Sequence, residues 1–335
     1  MRRQLVPTLL LPFAIACTSL PEPEPLPFEP AGPGATPDPA AFGPFPVGVR
    51  TLELLDYSRP KADGSPRKLV AEVWYPAVEA ARGAPGRVYD IRSVLTDEQK
   101  ADVAHIEIPA LTSIAVDDAA PRKDRGPFPL VVFSHGQSAI RWQSTFFTVL
   151  LASHGYVVAA PDHEGATLYE AVRDVPRLGV EVVLEAQNNR PRDVLHVVDW
   201  FTGQVPEGSL PADDPLFGTI DGDKVGLSGH SFGGFTSFRA AALDPRIKAI
   251  VPMTPTAVDL SWADQAPEFT LSIPVMMQAA RLDETLPWDE HIEPSWPRLV
   301  KPRFLLELVH GGHFTFSDLC QFDLAQHRQF RQLVA

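Results

Sequence analysis

The chain has 335 residues, 44% of them hydrophobic and 21% charged, which is an ordinary globular composition long enough for one large α/β domain with a substantial core. Its formal net charge of -13, with no basic stripe along it, argues against a nucleic-acid partner and disfavours anionic substrates through long-range repulsion.

The first stretch, MRRQLVPTLLLPFAIAC, has two arginines, an apolar run too short and too proline-broken to span a bilayer, and small residues before Cys17. Residues 1–16 read as a lipoprotein-type signal peptide, with Ala14, Ile15 and Ala16 preceding a lipidated Cys17. Leucine is usual where Ala14 stands, so a plain secretory signal cleaved nearby is the alternative. Losing this leader removes Arg2 and Arg3 and makes the mature chain more acidic by two charges. With Cys17 lipidated, Cys320 is the one remaining thiol, so neither an intramolecular disulfide nor a cysteine-rich metal site is expected. Residues 17–46 are proline-rich and acidic with no lysine or arginine, the composition of an extended tether lifting a domain off a membrane surface. The expected location is the bacterial cell envelope through a lipid anchor, or secretion.

Residues 47–335 then read as a single domain. VRTLELLDY and KLVAEVWYP are two early strands, antiparallel across the polar loop SRPKADGSPR. Residues 78–126 fit no regular alternation beyond a short helix over Thr96 to Ala104, and read as an insertion that either caps a site or is a surface excursion. Beyond it, PLVVFSH, GYVVAAPD, KVGLSGH, IKAIVPM, IPVMMQAA and RFLLELV are β-rich runs of the kind buried on both faces of a parallel sheet. STFFTVLLASH, PRDVLHVVDWFTG and SFGGFTSFRAAAL have the apolar spacing of helices packed on that sheet. Strand and helix in alternation predict a doubly wound, mostly parallel α/β sheet flanked by helices. There is no internal repeat.

Gly229-His230-Ser231-Phe232-Gly233 matches the G-x-S-x-G pentapeptide, and it falls where a nucleophile elbow requires, after a strand and before a helix. A serine nucleophile needs a base, and the base needs an orienting acid, usually in the order serine, acid, histidine. Asp283 follows the strand IPVMMQAA at its carboxyl end, where catalytic groups of open α/β sheets collect. His310 and His313 both follow RFLLELV, and Gly311 and Gly312 before His313 give it the freedom to swing over the sheet edge, so His313 is the expected base. The backbone N–H groups of Phe232 and Gln137, the latter in the loop FSHGQS, are the expected oxyanion donors. His230 reads as a packing or hydrogen-bonding residue of the elbow. His105, His154, His196, His291 and His327 are too scattered for metal ligation, and no metal is expected. Gln137, Phe232, Phe235 and Trp142 suggest a partly apolar acyl pocket or else core.

SHG after a strand, LASHGYVVAAPDHEG, RPRDVLHVVDW, VGLSGHSFGGF and GGHFTFSD together resemble the α/β-hydrolase superfamily, in its platelet-activating-factor acetylhydrolase and predicted dienelactone hydrolase branch near the bacterial polyester hydrolases. The resemblance covers roughly residues 68 to 320. It implies an α/β-hydrolase fold and a serine esterase of short acyl chains that needs no cofactor; the expected partner is a small-molecule or lipid ester, and the chain is expected to be a monomer. One departure concerns the acid. The animal acetylhydrolases take theirs soon after the strand that follows the elbow helix, where this chain reads VPMTPTAVD, with Met253 and Thr254 about in its place and Asp259 further into the loop. Asp283 matches the dienelactone and polyester hydrolases instead, although true dienelactone hydrolases use cysteine as nucleophile. The competing expectations are a polyester or carbohydrate-ester hydrolase and, from another class, a non-catalytic lipid-binding lipoprotein.

Overall fold

Strand β1 (Val47–Asp56) and strand β2 (Arg67–Pro76) pair antiparallel over their whole length, from Val47 opposite Pro76 to Asp56 opposite Arg67. The computed structural model that contains them describes residues 38, 41–105, 107, 110–173, 180–205, 209–257 and 271–321. The leader at 1–16, Cys17 and most of the tether lie outside the described residues, as do Asp259 and His327.

The irregular stretch after β2 is built from short pieces. Strands β3 (Val88–Tyr89) and β4 (Leu111–Thr112) pair with each other, and β5 (Val116–Asp117) adds a parallel edge to β1. Helix α1 (Asp97–Asp102) begins at a capping box in which the Thr96 side chain accepts from Gln99 N–H and the Gln99 side chain returns to Thr96 N–H. The segment therefore carries the edge of the main sheet, which two-residue strands could not announce by periodicity.

Next come β6 (Phe128–Ser134), α2 (Thr145–Ser153), β7 (Val157–Pro161), α3 (Leu168–Arg173), α4 (Val180–Thr202), β8 (Ile220–His230), α5 (Phe232–Leu243), β9 (Ile247–Met253), β10 (Val275–Ala280), α6 (Trp288–Ser295) and β11 (Arg303–Leu308). The nine-stranded sheet runs β11-β10-β9-β8-β6-β7-β2-β1-β5. From β7 to β11 every pairing is parallel, while β2 pairs antiparallel with both β1 and β7. Strand order reverses around β6, whose neighbours β7 and β8 lie on opposite sides, and the carboxyl ends there form the crevice in which open α/β sheets bind ligands.

Strand alternation divides the core. Leu130 and Val132 of β6 face Val194, Val197 and Phe238 from α4 and α5, whereas Val131 and Phe133 face Val149 and Ala152 of α2. Tyr89, Val94 and Leu111 of the irregular segment join the α2 side. Helix α4 begins eleven residues before Pro191, where the sequence pattern placed its start. Proline removes one helical hydrogen bond, but buried Ala186, Arg190 and Asp193 tie this helix to the sheet on both sides of it.

Candidate active site

Ser231 is the single residue between β8 and α5, with φ 57° and ψ -120°. A non-glycine residue there costs ~1–3 kcal/mol and persists only where its surroundings over-determine it. Ser231 N–H donates to Met253 O at 2.9 Å, and Ser231 O accepts from Gly234 N–H at 2.9 Å and Phe235 N–H at 3.2 Å. The glycines around it are demanded by close approach. A Cβ on Gly229 would lie 2.4 Å from Gly233 O, and one on Gly233 would lie 1.8 Å from Ser134 O. The elbow is thus wedged between the ends of β6 and β9.

His313 and Asp283 meet from the ends of neighbouring strands, with His313 Nδ1 2.7 Å from Asp283 Oδ2. Asp283 Oδ1 accepts from the N–H groups of Thr285 at 2.9 Å and Leu286 at 2.7 Å. Burial pushes the Asp283 carboxyl up, but the His313 bond and these two amides outweigh it and hold the group below the usual aspartate value. An ionised Asp283 keeps the His313 proton on Nδ1, so that Nε2 is the basic nitrogen. His310 is exposed in the turn after β11, whereas His313 is buried. Gly311 does not adopt positive φ; a Cβ there would sit 2.9 Å from Leu308 Cβ, so close packing, not the conformational freedom read from the sequence, makes it glycine. At the end of β9, Met253 and Thr254 are buried, and Thr254 N–H donates to Gln278 O at 2.7 Å. Neither supplies a carboxylate.

The loop after β6 lies against the elbow. A Cβ on Gly136 would come within 3.2 Å of His230 Nδ1 and 3.7 Å of Ser231 Cβ. The N–H groups of Gln137 and Phe232 find no acceptor among the described residues. Phe232 N–H belongs to the unpaired first turn of α5, where the helix dipole also favours negative charge.

Two arrangements escaped the sequence. Beneath the Gly136 loop, Ser134 Oγ lies 2.9 Å from His163 Nε2, and His163 Nδ1 lies 3.0 Å from Asp193 Oδ2. This serine, histidine and aspartate imitate a catalytic array but are fully buried. Asp193 also accepts from Arg59 and twice from Arg67. Burial pushes the Asp193 carboxyl up, and the Arg67 and His163 bonds overcome it and hold it well below the carboxylate range. Burial, with Arg190 beside it, pulls His163 down to about 4. Arg190 donates to Ser134 Oγ at 3.1 Å and to His135 O, completing a strut under the loop. The second arrangement anchors the His313 loop. The Asp318 carboxylate accepts from Thr145 N–H at 2.7 Å and Phe146 N–H at 3.2 Å, capping α2, while Ser144 Oγ donates to Phe316 O at 2.8 Å.

The aromatic residues read as pocket candidates are core. Trp142 stacks on Tyr89 at 5.3 Å, and Phe232 and Phe235 pack against Ala166 and Ala186. A residue at the first turn of α5 must pack inward if the elbow is to present its serine outward. The open apolar side chains are instead Leu282, 59% exposed, and Phe314, 55% exposed, which flank Asp283 and His313 in sequence. Phe314 stands edge-on to the His313 ring at 5.3 Å. Among the described residues no three His, Cys, Asp or Glu side chains converge as a metal site, and no helix is long and apolar enough to cross a membrane.

A family profile described as PET hydrolase-like matches residues 121–328, well over half the chain, and one described as platelet-activating factor acetylhydrolase, isoform II, matches residues 55–175. The first span contains Ser231, Asp283 and His313, and the second ends before all three. Among curated proteins, a bis(hydroxyethyl) terephthalate hydrolase from Streptomyces coelicolor is 29% identical over 192 residues, covering 57% of this chain and 52% of that one. Cutinase est1 from Thermobifida alba is 27% identical over 180 residues, 53% and 49% of the two chains. A platelet-activating factor acetylhydrolase from Cavia porcellus is 29% identical over 161 residues, 41% and 37%. The chain thus spans about half or less of the length of these curated relatives. A ferulic acid esterase structure from Streptomyces cinnamoneus aligns with TM-score 0.60 and 26% identity, over 84% of this chain and 78% of that one.

Proposed function

The chain belongs to the PET hydrolase-like family and has the α/β-hydrolase fold, and from that premise we propose that it is a carboxylic ester hydrolase working through an acyl-enzyme on Ser231. The observation that carries this reading is the strained Ser231 elbow at the end of β8, together with a His313–Asp283 pair at 2.7 Å whose imidazole lies 4.7 Å, centroid to centroid, from the ring of His230, the residue before Ser231. In this scheme Ser231 Oγ attacks the ester carbonyl and passes its proton to His313 Nε2. Asp283 holds the imidazole tautomer and stabilises the cation. The Gln137 and Phe232 N–H groups receive the oxyanion. Collapse expels the alcohol, which takes the proton from His313. Water, deprotonated by the same nitrogen, then releases the carboxylic acid and restores Ser231.

Within this class the proposed substrates are neutral or zwitterionic esters of short acyl chains, since the net charge of -13 slows encounter with anions. A second reading, a polyester or an ester of an aromatic acid laid across the surface, is favoured by exposed Leu282 and Phe314 beside Asp283 and His313. The names of the terephthalate, cutinase and ferulic acid relatives agree with it. Two experiments test the proposal. A fluorophosphonate probe should label Ser231, and an unlabelled, properly folded protein would return the chain to the lipid-binding class. Specificity (kcat/KM) over p-nitrophenyl esters should peak from acetyl to butyryl, with a polyester film run beside them. A steady rise to palmitoyl would make it a lipase.

A further inference from the structure

A line of hydrogen bonds crosses the site from the oxyanion loop to the base. Gly136 N–H donates to Gln143 Oε1 at 2.7 Å, Gln143 Nε2 lies 2.7 Å from His230 Nδ1, and His230 Nε2 lies 2.8 Å from His313 O. Its two ends are backbone groups, and that fixes its direction. An amide N–H can only donate, so Gln143 must turn its oxygen to Gly136 and its NH2 to His230. A carbonyl can only accept, so His230 must carry its proton on Nε2. One orientation of the amide and one tautomer of the imidazole satisfy all three bonds. Gln143 is itself held by Asp318, whose N–H donates to Gln143 O at 2.8 Å. The ends of the line are otherwise remote, because β6 and β11 are separated in the sheet by β8, β9 and β10.

We propose that Gln143 and His230 are positioning residues that lock the His313 backbone to the oxyanion loop, so that base and oxyanion donors keep one spacing about Ser231. The proposal rests on the esterase reading, and neither side chain takes part in bond making. His230 suits the task because it does not titrate in the working range. Burial, followed by the neighbouring His313, draws it down to about 3. The titratable groups facing it are His313, with ring centroids 4.7 Å apart, and Asp283 behind that ring, while Phe314 and Phe316 supply the apolar contacts.

Two variants test it. Gln143→Leu keeps the bulk and deletes both side-chain bonds, so kcat for p-nitrophenyl butyrate should fall ~10–100-fold with KM changed less than about threefold, as expected for misplaced reacting groups. Gln143→Glu can still accept from Gly136 but offers His230 no N–H. His230 must then protonate Nδ1 and spans both partners only as an imidazolium. At higher pH its bare Nε2 would face His313 O, lone pair against lone pair. The variant's kcat/KM should therefore become pH-dependent where the unaltered enzyme keeps its plateau, falling as the carboxylate-raised His230 imidazolium gives up its proton. A purely structural Gln143 would lower melting temperature in both variants and move neither kcat nor the pH profile. Either a Gln143→Leu kcat within twofold of wild type or a Gln143→Glu profile superimposable on wild type overturns the proposal. ¹⁵N NMR of the histidine rings gives an arm that needs no turnover: His230 should show the Nε2–H tautomer in the unaltered protein, and the opposite tautomer refutes the line. If the unaltered protein neither cleaves esters nor is labelled by a fluorophosphonate, the esterase reading fails by itself, and the NMR result still decides whether the line exists.

Discussion

Replacing Asp283 with asparagine should abolish most turnover for a reason that two backbone amides impose. The carboxylate serves His313 with Oδ2 and the N–H groups of Thr285 and Leu286 with Oδ1. Asparagine has one oxygen for these two tasks. With the oxygen on the amides, its NH2 faces His313 Nδ1, which must then accept. The ring proton moves to Nε2, and the base is lost. The productive tautomer requires the flipped amide, which leaves two N–H donors unsatisfied at ~1–3 kcal/mol each. That is ~2–6 kcal/mol before the lost stabilisation of the imidazolium, and at about 1.4 kcal/mol per decade it predicts kcat lower by ~10³–10⁴. KM for p-nitrophenyl butyrate should barely move, and circular dichroism should be unchanged. Asp259→Asn serves as the control and should retain wild-type turnover. A folded Asp283→Asn enzyme within tenfold of wild type, or an exchange of the two phenotypes, would refute the argument and move the acid to the loop after β9.

Other outcomes follow from the same contacts. Gly233→Ala drives a methyl to 1.8 Å from Ser134 O, so overpacking of about 3 kcal/mol should lower the melting temperature by ~5 °C in a thermal melt. Asp318→Ala removes the acceptor of two amides at the start of α2, and urea unfolding should show a loss of ~1–2 kcal/mol, accompanied by a drop in kcat of about tenfold as the His313 loop loosens. His163 and His230 are buried neutral, pulled from 6.5 to about 4 and about 3, so the unfolded chain binds protons that the native state refuses. Their effect on stability is nil above about pH 7 and grows as pH falls from 6.5 towards 4, on the order of 3 kcal/mol each, so urea midpoints should drop steeply over that range. If Cys17 carries lipid, Cys17→Ala should release the full chain from membranes, and a chain beginning at Phe45 should be soluble and fully active; retained membrane binding by the variant would defeat the tether reading.

Ser231, Asp283 and His313 were legible because each follows a β-rich run by one to five residues, and a parallel sheet delivers the carboxyl ends of such runs to one edge. The antiparallel β1–β2 pair and the parallel run from β6 onward were legible for a related reason, since period-two and continuously apolar stretches carry their own burial pattern. Gln143, Asp318, His163 and Arg190 were not, because their partners lie 87, 173, 30 and 56 residues away and no local spacing marks them. Between the pocket and core readings left open for Trp142, Phe232 and Phe235, burial favours core, because proximity in sequence to the elbow or the oxyanion loop does not say which way a side chain packs. Pro191 hid the first half of α4, since a proline reads locally as a helix start even where buried neighbours override it.

The Asp318 cap on α2 joins residues 173 positions apart, and that span has a meaning for the order in which the molecule comes into being. Synthesis delivers Ser231, the proposed nucleophile, well before His313 and the Asp318 cap, which lie 82 and 87 residues further along the chain. Loop closure over such a distance is entropically unrewarded until both ends exist, so the sheet can assemble around a serine that is not yet armed. Ribosome-bound chains arrested at Val300 should accordingly be inert to a fluorophosphonate, with reactivity arriving only once Asp318 has cleared the exit tunnel. Under the proposed mechanism, a chain that stops short of His313 and Asp318 carries its serine without the groups that would activate and seat it.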